Sequence, residues 1–336
     1  MPATTLALGA ALLGFVGVVA VPAEASDLRV MSYNIKHGQT NADCTQPAPT
    51  PAQPPAPDCN LDLQAAIAVI RAHDPDIVGL QEVDRFWARS GYQDEPAVLS
   101  AALGMAHRCY AANLDHPPDD HSDRRHQYGT LILSRFPIAT CSNTPLPREG
   151  AAEQRGLTLA VIDVKGVTLR FYNTHLHTTE SDRRLQTAAI AQAIDAAAPR
   201  PMVVAGDFNA RPEAKELEPI FFRLTDAWTK AGARTADNPD GQTSPSQLTG
   251  GPRSRIDYVL VSPSIDVRAA RVIVDEKTRL ASDHYPVVAD LRLPAARPRG
   301  LLRVQRGEFR DLLRTREAHS LMSLSVLCRS FPRNPR

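Results

Sequence analysis

The chain has 336 residues, 43% of them hydrophobic and 22% charged, with a formal net charge of +1 at pH 7. That length holds one large core or two ordinary ones, and that balance of apolar and charged residues excludes an intrinsically disordered chain. The near-neutral total hides an asymmetry: residues 297 to 336 carry ten Arg against Glu308, Asp311 and Glu317, a charge of +7 that leaves −6 for the rest.

The first 25 residues contain the apolar run TTLALGAALLGFVGVVAV, too short for a comfortable transmembrane helix, followed by AEA, small residues where a signal peptidase reads. We expect a signal peptide over 1–25, cut between Ala25 and Ser26, and a secreted or periplasmic protein. An uncleaved membrane anchor is the alternative, because no basic residue follows Met1. Export gives the five cysteines meaning, since disulfides persist outside the reducing cytosol. Cys44 and Cys59 bracket a proline-rich loop with no core of its own, Cys109 and Cys141 could form a second pair, Cys328 is left odd, and buried free thiols are the alternative to either bridge. No cysteine spacing suggests zinc.

Beyond the leader, LRVMSYNI reads as a strand, LDLQAAIAVIRAH as a helix and DIVGLQEV as a strand entered through Asp74-Pro75. GTLILS, GLTLAVIDV, VTLRFYNTHL, PMVVAGDF, RIDYVLVS and HYPVVADLRL are further strands, with helical runs at RRLQTAAIAQAIDAA and around 214 to 230. Many strands with few long helices give an α+β fold of sheets packed together with helices outside. The last strand ends near Pro294, so a catalytic domain is expected over 26–294 and a basic C-terminal extension over 295–336. Arginines 299, 303, 306, 310 and 314 recur at helical spacing in that extension. A basic helix of this kind meets a polyanion or an anionic membrane surface, whereas a solvated tail is the simpler reading.

Six segments place polar residues at strand ends: SYNIKHG, LQEVD, FYNTHLH, AGDFNA, RIDYVL and ASDHYPV. Singly, each reads as a turn or a hydrogen-bonded histidine. Glu82, however, follows a run that should be buried, where a charge needs an arginine partner or a metal. Asn34 can offer an amide oxygen to the same ion. All-oxygen ligands suit Mg²⁺, with Mn²⁺ or Ca²⁺ as alternatives, rather than zinc.

Taken together and in this order, the six segments resemble the endonuclease/exonuclease/phosphatase superfamily of metal-dependent phosphoester hydrolases, over Asn34 to His284. The resemblance implies a four-layer α/β sandwich, two packed mixed β-sheets flanked by helices. It also implies Glu82 as principal metal ligand with Asn34 and Asp283 close to the ion, and Asp207 as the group that orients or deprotonates the attacking water. Asn209 is then expected on the phosphate or nucleophile, His175 and His284 as catalytic groups at the phosphate, and Asp257 as the carboxylate that orients His284. Asn173 and Arg155 are expected near the substrate phosphate, with a surface salt bridge as the equal alternative for Arg155, and His177 as a spectator. Pairing of Asp257 with Arg255 is the competing structural reading.

The expected reaction is Mg²⁺-dependent hydrolysis of a phosphodiester by a monomer. Nucleic acid is ranked slightly ahead of a sphingomyelinase-like lipid substrate or an inositol phosphate, because no obvious apolar insertion favours lipid and only Lys36 and Arg155 stand ready to grip a terminal phosphate. A catalytically inactive binding protein on the same scaffold would have lost one of these site residues, and none is missing.

Overall fold

The computed structural model describes residues 25–42, 60–197, 199–244 and 254–296. The leader, Cys44, Cys59, Cys328 and the arginine-rich part of the tail lie outside the described residues. In chain order the elements are β1 (Asp27–Asn34), α1 (Leu63–His73), β2 (Ile77–Arg85), α2 (Glu95–Leu103), β3 (His107–His116), β4 (His126–Ser134), β5 (Ile138–Pro145) and β6 (Gly156–Val164). There follow β7 (Val167–His175), α3 (Glu180–Ala197), β8 (Met202–Asp207), α4 (Glu218–Phe221), β9 (Thr225–Asp226), α5 (Ala227–Ala231), β10 (Asp257–Val261), β11 (Asp266–Val272), α6 (Glu276–Ala281) and β12 (Val287–Arg292).

Local chemistry sets the helix ends. Asp62 caps α1 by accepting from the Gln64 N–H, and Asp74 closes it in a left-handed turn before Pro75. Asp94 caps α2 in the same way, and Gly104 ends it. The helix expected around 214 to 230 is broken in two, because Asp226 accepts from the Trp228 N–H and starts α5 afresh.

The strands form two six-stranded mixed sheets, ordered β11-β12-β1-β2-β4-β3 and β5-β6-β7-β8-β10-β9. Alternation along the central strands builds the layers. On β8, Val203 and Ala205 join the core between the sheets, while Met202 and Val204 join the core under the outer helices. On β1, Leu28 and Val30 face the other sheet, while Met31 and Tyr33 face α1. Three buried layers of side chains therefore separate helix, sheet, sheet and helix, the expected four-layer sandwich. Cys109 on β3 and Cys141 on β5 stand at a bonded distance of 2.03 Å, so a disulfide ties an edge strand of one sheet to an edge strand of the other.

Candidate active site

Three neighbouring strands deliver three of the site residues in a row. The parallel register of β7 on β8 sets His175 beside Asp207, and the antiparallel register of β10 on β8 sets Asp257 on the other flank. His175 Nε2 lies 3.5 Å from Asp207 Oδ2. His284 completes the row, with Nδ1 2.9 Å from Asp257 Oδ2 and Nε2 3.7 Å from Asp207 Oδ2. All four side chains are buried. Gly206 allows the approach of β7 and β8 here, since a Cβ on it would stand 2.3 Å from the Thr174 carbonyl oxygen.

The other sheet supplies Glu82. Its backbone is left-handed, φ 58°, and the β2–β4 register slips between Leu80 and Val83, a bulge that breaks strand alternation at this residue. Left-handed residues gather nearby at Lys36, His37 and Asn209, as strain commonly does around working sites. Asn34 Nδ2 bridges the two sheets, donating to Glu82 Oε1 at 2.9 Å and to Asp207 Oδ2 at 3.1 Å. Among the described residues no Lys or Arg pairs with Glu82; its nearest basic group is His37 Nδ1 at 3.8 Å. Burial opposes the charge on Glu82, but the His37 ring, the Asn34 amide and the His284 charge hold its carboxyl below the usual carboxylate range. Asp283 is about one-third exposed and meets Lys36 Nζ at 3.5 Å. Two carboxylates with no arginine partner fit a hard cation such as Mg²⁺, Mn²⁺ or Ca²⁺. The Asn34 oxygen differs from expectation, since it accepts the Lys36 N–H at 3.1 Å and the amide enters the site through its nitrogen.

Asp207, Asp257 and His284 also offer ligand atoms within 4.8 Å of one another. They are also three titratable groups in mutual contact. Burial works against a charged His284, yet Asp257 and Asp207 overcome it and push its pKa up to about 10. Burial and then the neighbouring Asp257 charge push Asp207 up to about 7. His175 goes the other way: burial and then the Arg155 charge drive it well below its ordinary value.

The remaining expected residues divide. Asn209 N–H donates to Asp207 Oδ1 at 2.8 Å and its side-chain nitrogen to the Leu176 carbonyl at 2.9 Å, so a tight turn joins it to Asp207. Asn173 corrects the expectation of a phosphate contact. It is fully buried between the sheets, donates to the carbonyls of Leu80 and Leu131 at 2.8 and 3.1 Å, and accepts from Gln81 at 2.7 Å. Two residues back from His175 is about 6.6 Å deeper in the sandwich. Arg155 Nη1 stands 2.8 Å from His175 Nδ1. His177 meets Thr179 and Asp182 at the start of α3, away from the row. Arg255 pairs with Asp226, which leaves Asp257 to His284.

Sequence reasoning passed over the residues that hold this geometry. The Ser282 hydroxyl donates to the Asn34 carbonyl at 2.8 Å and accepts the His284 N–H at 3.2 Å. Thr243 Oγ1 accepts the N–H groups of Ile256 and Asp257, each at 3.1 Å. The Ser282 position in ASDHYPV was the available signal; Thr243 gave none.

The rim beside Glu82 is aromatic and cationic. Arg89 is locked to buried Asp84 by two 2.8 Å hydrogen bonds, and its guanidinium lies 5.1 Å from the ring centres of both Trp87 and Tyr128. Trp87 packs on His116 and His126 with ring centres 5.4 and 5.5 Å apart, and Arg124 lies 5.5 Å over Phe86. On the opposite side, beside Asn209, a cleft of about 760 Å³ is lined by Arg183, Arg211 and Lys215 but also by Glu180, Glu213 and Glu216, so it selects no charge.

The Endonuclease/Exonuclease/phosphatase family profile matches residues 31–284. Nocturnin of Rattus norvegicus is 27% identical over 245 residues, 65% of this chain and 54% of that protein, and protein cwh43 of Schizosaccharomyces pombe is 33% identical over 139 residues, 41% of this chain and 13% of that protein. The chain thus spans about half the length of the nocturnin and a smaller part of the cwh43 protein. The fold resembles the solved endonuclease/exonuclease/phosphatase of Beutenbergia cavernae with a TM-score of 0.59 at 28% identity, covering 80% of this chain and 72% of that one. With the profile spanning β1 to the His284 turn and the sandwich in place, this chain belongs to the endonuclease/exonuclease/phosphatase family, whose members are hydrolases of phosphoester bonds.

Proposed function

We propose that this protein is an exported, metal-dependent phosphodiesterase of nuclease type, working by in-line attack of water on phosphorus. The observation that carries the reading is the buried row His175, Asp207, His284 and Asp257, facing Glu82 across the Asn34 bridge. Asp207, with a pKa near neutrality, accepts the proton of the attacking water. His284, a cation held by Asp257, faces the developing negative charge and supplies a proton to the leaving oxygen. His175 donates a hydrogen bond to a non-bridging oxygen. Glu82 and Asp283 are the residues that would hold Mg²⁺, which when bound neutralises phosphate charge and steadies the leaving oxygen.

Nucleic acid is favoured over lipid by the rim. Bases stack on aromatic and guanidinium planes, and the rim presents Trp87, Phe86, Arg89 and Arg124 next to Glu82. The large hydrophobics exposed among the described residues, Leu185, Phe222 and Leu280, are scattered rather than gathered into an apolar insertion. Export is supported by the apolar leader and by the Cys109–Cys141 bridge. The test is nicking of supercoiled plasmid by the purified protein with Mg²⁺, with EDTA, and by Asp207→Ala. Nicking that requires both metal and Asp207 supports the nuclease; its absence, with turnover of sphingomyelin or inositol phosphates, moves the activity to those substrates.

A further inference from the structure

Asp207 Oδ2 is flanked by two histidines at similar range, His175 Nε2 at 3.5 Å and His284 Nε2 at 3.7 Å, and the two are oriented by opposite chemistry. Behind His284 stands a carboxylate, Asp257, which can only accept a hydrogen bond. Behind His175 stands a guanidinium: Arg155 Nη1 is 2.8 Å from His175 Nδ1. A guanidinium has five N–H donors and no acceptor, so the Nδ1 facing it must offer a lone pair, and the ring's one proton sits on Nε2.

Arg155 is itself held. Its side chain is 9% exposed and Nη1 meets Glu153 Oε1 at 3.0 Å. The same guanidinium works against the rise that burial gives the pKa of the buried Tyr128 hydroxyl. The Arg155 carbonyl accepts the Leu146 N–H at 2.8 Å, which pins the backbone one residue before β6 begins. With Nη1 shared between Glu153 and His175, Arg155 stands behind the imidazole.

We propose that Arg155 is a positioning residue that fixes His175 as an uncharged imidazole with its proton on Nε2, aimed at the place where a phosphoryl oxygen sits. The pair of histidines is then divided in labour. His284 carries a proton that can leave, while His175 donates a hydrogen bond and keeps its proton, because losing it would leave an imidazolate. This assignment of labour rests on the phosphodiesterase reading, whereas the tautomer of His175 does not.

The test is a long-range ¹H–¹⁵N correlation spectrum of the full-length, ¹⁵N-labelled protein at pH 7, with His175→Gln identifying the resonance. The expected wild-type pattern is a neutral ring with protonated Nε2 and unprotonated Nδ1. Arg155→Met should move both nitrogen shifts of His175, and Arg155→Lys, which keeps a cationic donor, should restore them in part. In plasmid nicking, kcat should fall about 10- to 100-fold in Arg155→Met, as for other partners that orient catalytic ligands, with KM changed less than about 3-fold. A wild-type His175 protonated on Nδ1, or nitrogen shifts indifferent to Arg155→Met, overturns the proposal. So does a raised KM with an unmoved spectrum, which would make Arg155 a direct phosphate contact. If the wild type hydrolyses nothing while the spectrum shows the expected tautomer, the phosphodiesterase reading fails and the placement by Arg155 stands.

Discussion

The two ends of the same strands handle charge in opposite ways. At the end where β1 begins and β12 finishes, every acid has its base: Asp290 takes Arg29 at 2.6 Å and Arg271 at 3.2 Å, Asp76 and Asp74 share Arg135, and Asp27 meets Arg292 at 3.8 Å. At the other end Asp207 and Asp257 are buried side by side around one histidine cation, and Glu82 has no arginine at all among the described residues. The difference teaches which end is built for stability. Matched, half-exposed pairs contribute modestly and cost little, whereas crowded buried carboxylates are a burden on folding of the kind a working site carries.

The comparison is broken most directly at Asp207. Asp207→Asn should lower phosphodiester hydrolysis about 10²- to 10⁴-fold, the range of a lost general base. The same change should raise the melting temperature by a few degrees. The sign follows from the shift. A carboxyl whose folded pKa lies near 7 instead of 3.8 binds more protons folded than unfolded, so its charge costs stability increasingly as pH rises through that window. The gain from Asn should therefore be absent at pH 3.5 and complete by pH 8. A variant that melts lower than wild type at pH 8 would show that the crowding is compensated.

The disulfide belongs to neither end. It closes 32 residues between the edges of the two sheets, and its reduction should remove about 3 to 4 kcal/mol of stability by urea denaturation while the residual folded protein keeps its activity. Loss of activity ahead of unfolding would place the bridge within the working end.

Next in size is the pH profile. With Asp207 pushed up to about 7 and His284 to about 10, the rate should climb up to the first value and fall above the second, dropping about 50-fold from pH 7 to pH 5. Bound cation favours the ionised carboxylate, so raising Mg²⁺ should move the rising limb to lower pH. For stability, the raised His284 contributes a term fully present below its ordinary 6.5 and lost as pH rises through about 10. A limb that ignores metal concentration would separate Asp207 from the metal side of the site.

How much of this could be read from sequence depends on burial. The central strands β1, β2, β7, β8 and β10 are buried on both faces and read as apolar runs, and the residues following those runs are the ones the structure gathers. The edge strands β3, β5 and β11 escaped, because β5 is exposed at most positions and a half-wet edge carries no such run. Asn173 lies two residues from His175 on the same strand, and depth along a strand is invisible without the register. The histidine partner of Arg155 lies on the next strand, where only the pairing of β6 with β7 brings the two together. The Glu82 bulge is another such case, since a left-handed glutamate has no sequence signature.

The smallest expected effect lies at the matched end and is the control that gives the others their meaning. Asp290→Asn removes one acid from between Arg29 and Arg271, both of them over one-third exposed. The hydrogen bonds to both arginines draw the Asp290 carboxyl below its ordinary value even though burial alone would raise it, so its charge helps the fold at neutral pH. A pair this wet is worth about 0.2 to 1 kcal/mol, and the loss should shrink in high salt. Because the folded pKa is depressed, the loss should be visible at pH 7 and vanish as pH falls below the carboxylate range. Hydrolysis should not change. Asp207→Asn and Asp290→Asn thus remove the same negative charge from opposite ends of the same sandwich and should shift stability in opposite directions. If both lower it, burial rather than function governs the charges at the site end.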